Sequence, residues 1–385
     1  MKSDRPARFR GQRLFPGALL LLAITLIAYI PIFRAGFVWD DDSYVEQNAT
    51  LRTLDGLYEI WTNWHATPQY YPLVHTSFWV EYHLWGATSA LGYHIDNVLL
   101  HALSAILIWR LLNRLNVPGA LLAAAIFAVH PVHVESVGWI TERKNVLSLV
   151  FYLLALRSYL RSTGSEPVLR DYAFSLLFFL LALLSKTVTA TLPAAILLIF
   201  WWKRGRIRVR AVTPLLPFFV LAAVCGSITG YLERTQVGAR GPEWAALTPL
   251  HRVLIASRAV WFYAGKLLVP WRLTFIYPRW SIDPRDPLQW LYLVALIAVI
   301  AGLWLRRRRL GRGPLVAVLF FIGTLTPALG FVNVYPMRYS FVADHFQYHA
   351  SIGLIALAAA CIARFKPAGL IIVALLIALT FHRCL

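Results

Sequence analysis

The chain has 385 residues, of which 59% are hydrophobic and only 14% charged, with a mean hydropathy of +0.61. That balance excludes an ordinary soluble domain, in which about a quarter of residues are charged, and it makes the formal net charge of +19 a question of where the charges lie. Three cysteines without paired spacing, Cys225, Cys361 and Cys384, point neither to a disulfide framework nor to a cysteine metal site.

Basic residues cluster at 2–13, 110–114, 157–170, 203–210, 306–312 and 364–366, at alternate ends of apolar runs, as cytoplasmic loops do. These stretches and their edges hold 22 of the 37 Lys and Arg but only three of the 18 acids, Asp4, Glu166 and Asp171. Topology thus accounts for the positive surplus, and a nucleic-acid partner loses its support. The run 15–33 is too long for a signal peptide and is read as a retained first span.

With the N-terminus cytoplasmic, that span exits near Arg34 into a Trp-rich, acidic external loop over about 34–91. A second span runs from about Leu91 to Arg114, and a third rises from Gly119 to the external stretch HPVHVESVGWITERKN. Spans four to six end at Arg157 and Arg161, at Lys186, and at 203–210. A seventh, 212–232, opens a fourth external loop over about 233–287, in which 253–269 carries Arg258 and Lys266 and reads as interfacial or re-entrant. Runs at 288–305, 314–332, 352–363 and 370–381 complete about eleven spans and leave the C-terminus external. The expected class is an all-α integral membrane protein of the inner (plasma) membrane. It forms a single domain over 1–385, with juxtamembrane helices in the first and fourth external loops and no soluble tetratricopeptide domain.

An ionised group at membrane depth costs at least about 2.5–3.5 kcal/mol, so polar residues at outer span ends need a reason. FVWDDDSY places Asp40, Asp41 and Asp42 directly after the first span; mutual repulsion suits a base or a shared cation, and a solvated acidic loop is the plain alternative. The HPVHVESVGWITERKN stretch offers His130, His133, Glu135, Glu142, Arg143 and Lys144, where Pro131 makes hydrogen-bonded structure a better reading than a metal site. Lys186 in SKTVTATLP is either functional or a snorkelling lysine. PMRYSFVADHFQYHASIG adds Arg338, Asp344, His345, Tyr348 and His349. His94, Asn97 and His101 share one helical face turned to the bundle. Trp39, Trp61, Trp64, Trp79, Trp85 and Trp280 read as an aromatic belt.

In order, FVWDDDSY, YYPLVHTSFWVEYHLWG with GYHIDNVLLHAL, HPVHVESVGWITERKNVLS, LLSKTVTATLP and ADHFQYHASIG resemble the multispan O-mannosyltransferases that often carry C-terminal tetratricopeptide repeats. That family is a branch of the GT-C glycosyltransferase superfamily. The third stretch is the most specific. His345 and His349 stand where the family usually has an Arg or aromatic residue and a Pro, and Thr187 stands where Pro is common.

The resemblance implies transfer of a sugar, mannose in the first instance, from a polyprenyl-phosphate donor to a Ser or Thr hydroxyl on the external face, with inversion. It implies Asp40 as base with Asp41 second; Arg143, Lys186 and Arg338 are the candidates for the donor phosphate, because preorganised cations act most strongly where charge develops. His130, His133, Glu135, Glu142, Lys144, Asp344 and His345 are further candidates, and no metal or other cofactor is indicated. The partners implied are the bilayer, the lipid-linked sugar, and a protein or glycan acceptor with room for a separate recruiting subunit. Glycolipid or cell-envelope polymer acceptors are the alternative within the same fold. A transporter or scaffold is the alternative outside it, disfavoured because the polar residues sit at outer span ends rather than at the midplane of repeated halves.

Overall fold

A computed structural model describes residues 14–164 and 168–385; the basic stretch 2–13 and Glu166 lie outside them. Every regular element among the described residues is helical. The main helices are α1 (Leu14–Tyr29), α2 (Leu54–Thr62), α3 (Pro72–Trp85), α4 (Leu91–Arg114), α5 (Ala120–Ala128), α6 (Val134–Gly138), α7 (Arg143–Ser162) and α8 (Leu169–Ser185). They continue with α9 (Leu192–Arg204), α10 (Leu216–Leu232), α11 (Pro249–Leu268), α12 (Leu291–Leu305), α13 (Gly313–Leu325), α14 (Ser351–Ile362) and α15 (Lys366–Arg383).

Four segments are long and apolar enough to cross a bilayer: Phe15–Arg34, Leu91–Arg114, Val209–Val237 and Pro287–Leu305. A fifth is the pair Ala120–Ala128 and Pro131–Gly138, bent by 51° where Pro131 lacks the N–H needed to extend the helix. Gly313–Ala328, Ser351–Ile362 and Pro367–Arg383 are apolar but shorter. The chain is therefore a multi-pass, all-α membrane protein. Its main core forms where α1, α4, α5, α7, α8 and α14 pack together, around side chains such as Phe127, Tyr152, Leu149 and Phe179. Gly119, at φ +69°, starts α5 against α14, and a Cβ there would lie 2.7 Å from Ala359 O.

The two ends of the bundle differ in charge. At one, Arg114 donates to Leu160 O (2.9 Å), Lys203 to Leu115 O and Arg312 to Trp201 O (3.4 Å), while Arg161 pairs with Asp171 (3.3 Å). The basic clusters thus converge in space, although they are scattered in sequence. Thr380, late in α15, donates to Val129 O (2.8 Å) at the opposite end. Helix α11 touches that opposite end twice. Its Arg252 donates to Gly330 O (2.5 Å) and Asn333 Oδ1 (2.8 Å), and its Leu267 O accepts from His130 (3.0 Å).

One buried cation fastens the first loop to the bundle. Arg143, at the start of α7, pairs with Glu81 of α3, donates to Asn97 of α4 and to Tyr93 O (3.0 Å), and lies 5.3 Å from the centre of the Phe78 ring. His94, Asn97 and His101 are all buried; His101 Nδ1 meets Tyr348 Oη at 2.7 Å, and its Nε2 faces Ala128 O at 3.0 Å. Breaking a buried pair on one side leaves the other charge uncompensated. Glu81→Ala is expected to cost about 3–5 kcal/mol, seen as a lower melting midpoint in detergent, with Glu81→Gln milder because an amide oxygen can still accept from Arg143.

Candidate functional site

The three adjacent acids after α1 separate in space because the chain turns sharply there. Trp39 adopts a left-handed conformation (φ +53°), uncommon for a non-glycine residue and a mark of local strain. Asp41 is fully buried: its Oδ2 accepts from Val38 N (2.9 Å), and its Oδ1 accepts from Thr141 N (2.8 Å) and Thr141 Oγ1 (2.6 Å). It pins the first loop to the connection before α7. Burial raises its pKa, opposed by the three hydrogen bonds. Asp42 is exposed and accepts from Ser43 N (2.6 Å). The Asp40 carboxylate accepts no hydrogen bond among the described residues, and it faces the cleft.

Across that cleft Glu142, completely buried, gathers the cations. Lys144 Nζ lies 3.0 Å from its Oε1, Lys186 Nζ 3.1 Å from its Oε2, and His345 Nε2 3.9 Å from its Oε1. Asn145 Nδ2 donates to Glu142 Oε2 (2.5 Å) while Asn145 Oδ1 accepts from Lys186 (2.9 Å). Burial opposes ionisation of Glu142, but His345, Lys144 and Lys186 outweigh it and hold the carboxyl well below the usual range. For Asp40 the balance runs the other way. Burial raises its pKa, Lys144 opposes that, and Glu142 and Asp42 add to it. Two carboxylates in one cleft are thus driven apart in acidity, as an acid–base site requires.

Lys186 sits at this point because α8 ends at Ser185 and α9 begins at Leu192, so the break delivers an ammonium at the outer end of both helices. Lys144 extends over Tyr44 and Trp139, 5.6 and 5.7 Å from their ring centres.

The cleft has two chambers that share Asp40, Trp139, Tyr335, Pro336 and His345. One, of about 330 Å³, contains Lys144, Lys186, Glu142 and Glu233. The other, of about 450 Å³, contains Asp42, Glu135 and a set of aromatic side chains. Glu135 Oε1 holds His345 Nδ1 at 2.7 Å.

Asp40, Glu135, Glu142, Lys144, Lys186 and His345 are therefore brought together, and other sequence candidates are not. Arg143, expected at a donor phosphate, is instead buried behind the cleft with its guanidinium occupied by Glu81, Asn97, Ser77 and Tyr93. Arg338, expected at the same phosphate, lies half-exposed beside Glu243 (3.6 Å). His130 and His133 are buried on backbone carbonyls of Leu267 and Phe127 (3.0 and 2.9 Å), and His133 Nε2 lies 3.0 Å from Ser351 Oγ. Neither ring shares a ligand set with Glu135, and among the described residues no group of three His, Cys, Asp or Glu is placed to hold a metal ion. Asp344 accepts from Tyr277 Oη (2.9 Å) away from the chambers; burial and then Glu135 push its pKa up to about 7, against the pull of Tyr277.

Sequence reading missed Gln69, Tyr44, Glu233 and Tyr335. Gln69 Oε1 accepts from Tyr44 Oη (2.9 Å) and Lys144 (3.4 Å), and its Nε2 donates to Glu233 Oε1 (2.8 Å). Glu233 Oε2 in turn accepts from Tyr335 N (3.2 Å). Tyr44 closes the FVWDDDSY stretch without a chemistry of its own, Gln69, Glu233 and Tyr335 carry no local motif, and only the long-range fold joins the four.

Residues 72–229 match the model of the dolichyl-phosphate-mannose-protein mannosyltransferase family; the match covers Glu142, Lys144 and Lys186 and leaves Asp40 and His345 outside. The chain is 27% identical over 282 residues to a protein O-mannosyl-transferase of Caenorhabditis elegans, covering 69% of this chain and 39% of that protein. It is 34% identical over 188 residues to protein O-mannosyl-transferase Tmtc1 of Drosophila melanogaster (46% and 21% covered). It is 29% identical over 173 residues to human protein O-mannosyl-transferase TMTC3 (42% and 19% covered). In each case the match spans about two fifths or less of the relative's length. Residues 72–229 are thus similar to the dolichyl-phosphate-mannose-protein mannosyltransferase family, and a longer part of the chain is similar to protein O-mannosyl-transferases of which it spans about two fifths or less.

Proposed function

We propose that the chain is a membrane glycosyltransferase that moves mannose from a polyprenyl-phosphate donor to a Ser or Thr hydroxyl of a protein, at the external end of the bundle and with inversion. The observation that carries this reading is one cavity shared by the carboxylate of Asp40, free of hydrogen bonds among the described residues, and the ammonium groups of Lys144 and Lys186. The about eleven spans expected from the sequence, with α11 lying along the external surface, complete the topology.

The chemistry needs a place for phosphate charge and a proton acceptor near the incoming hydroxyl. As the bond from the anomeric carbon to the phosphate oxygen breaks, its electron pair stays on the phosphate, where Lys144 and Lys186, preorganised by Glu142, stabilise it. The acceptor oxygen bonds to the opposite face of that carbon, and its proton passes to Asp40 late in an oxocarbenium-like transition state. Inversion follows from this single displacement. Lys144 takes the place at the phosphate expected for Arg143, and His345 faces the same space, oriented by Glu135. Asp41, second base by resemblance, acts here through its bonds to Thr141 and Val38 by holding the Asp40 turn. Arg338, His130, His133 and Asp344 support the surrounding structure.

Asp40 must be ionised to accept a proton, and its pKa is raised, so the acid limb of transfer is expected above the ordinary carboxylate range. With purified protein and labelled polyprenyl-phosphate mannose, Asp40→Asn is expected to lower turnover about 10²–10⁴-fold and to abolish that limb. Undiminished transfer by the variant removes Asp40 from the mechanism.

The positive-inside rule makes the basic end cytoplasmic and the cleft external. Cys384 follows the last helix, and a membrane-impermeant thiol reagent is expected to label it in intact cells. Labelling only after permeabilisation reverses the orientation.

A further inference from the structure

The two chambers that meet at Asp40 differ in charge. The smaller contains both lysines beside three carboxylates, Asp40, Glu142 and Glu233; the larger contains three carboxylates, Asp40, Asp42 and Glu135, and among the described residues neither a lysine nor an arginine lines it to offset them. Its one ionisable nitrogen base, His345, is already held by Glu135 Oε1. The other oxygen of that carboxylate, Glu135 Oε2, is buried without a hydrogen-bond partner among the described residues, on a side chain only 9% exposed. A buried carboxylate oxygen without a donor is costly and is satisfied by a ligand that brings an N–H or O–H. At the rim stand Trp39, Phe275, Ile276 and Tyr339, all exposed, with Trp39 and Phe275 in contact (ring centres 5.3 Å apart).

Resting on the reading of the cleft as a transferase site, we infer that the larger chamber is the acceptor entrance and that it selects polypeptide segments with a Lys or Arg close to the modified Ser or Thr. A phosphate is repelled from a chamber lined by carboxylates and attracted to the lysines beyond it, so donor and acceptor approach Asp40 from opposite sides. The exposed aromatic rim suits the flat faces and aliphatic stems of an extended chain, and it can hold a cationic side chain over its rings. The ammonium or guanidinium of that side chain then meets Asp42 at the mouth and supplies a donor towards Glu135 Oε2. Acidic segments are excluded by like charge, which makes the chamber a filter by repulsion as well as attraction.

The test uses two synthetic nonapeptides, each with a single Thr, flanked in one by Lys and in the other by Glu, with the full-length protein in lipid nanodiscs and labelled polyprenyl-phosphate mannose. The wild type is expected to favour the Lys peptide in kcat/KM by at least about fivefold, chiefly through KM, and more at low salt. Asp42 is exposed, so its substitution is compatible with folding; Asp42→Asn is expected to reduce the ratio and Asp42→Lys to bring it to one or below, with the KM for donor unchanged in both. Transfer to both peptides with equal kcat/KM, or a ratio unmoved by Asp42→Lys, overturns the inference and leaves the transferase reading standing. Absence of transfer to either peptide by wild type that still binds the donor contradicts the protein-acceptor reading and the inference with it.

Discussion

The site depends on one buried carboxylate. Glu142 sits at the junction of three parts of the chain and faces a nitrogen base from each of the two that flank it in the fold: the ammonium of Lys186 from the α8–α9 break and the imidazole of His345 from the segment before α14, together with its own near neighbour Lys144. Such a cluster is expensive to bury, because each ion loses water and only good geometry returns the energy. A protein that holds two lysines on a single carboxylate in an apolar bundle gains little stability by it. What it gains is a pair of ammonium groups fixed in a place from which water is partly excluded, where electrostatic stabilisation of a leaving group is strongest.

Around that cluster, the polar residues divide between holding and acting. Asp40, Asp41 and Asp42 are adjacent in sequence, yet one faces the cleft, one is consumed by three hydrogen bonds, and one lies open to solvent. Arg143 and Lys144 are likewise neighbours. Successive residues on a helix point about 100° apart, so when Lys144 faces Glu142 and the cleft, Arg143 faces α3 and α4, where Glu81 and Asn97 meet it. The first external loop is thus tied down twice, through Asp41 to Thr141 and through Glu81 to Arg143. Both ties close on the connection that carries Glu142, one residue before it and one after it, so the loop bearing Asp40 is fastened directly beside the cluster bearing the lysines.

The helical membrane architecture was legible because apolar length and the placement of Arg and Lys are local properties: the clusters around Arg114, Arg161, Lys203 and Arg312 announce one end of the bundle, and the structure joins them there. Lys186 stands out because a charge beside an apolar run is costly, whereas Glu142 is one of six polar candidates in its stretch. Composition could not tell which charge of a polar stretch faces inward. Arg143 was drawn to the phosphate because its partner, Glu81, lies 62 positions away, and Gln69 escaped notice because it gains meaning only from Tyr44, Lys144 and Glu233 around it. His130 and His133 looked available only because the backbone carbonyls that engage them belong to α11 and α5.

Under the proposed function, the lysine pair on Glu142 is the seat of the donor phosphate and the carboxylate of Asp40 the group opposite it. The most direct measurement is an experimental structure with a non-transferable polyprenyl phosphonate-linked mannose. The phosphonate is expected within hydrogen-bonding distance of Lys144 and Lys186, with the anomeric carbon turned towards Asp40. A head group bound at the basic end, or in the larger chamber with both lysines still engaged only by Glu142, would contradict it.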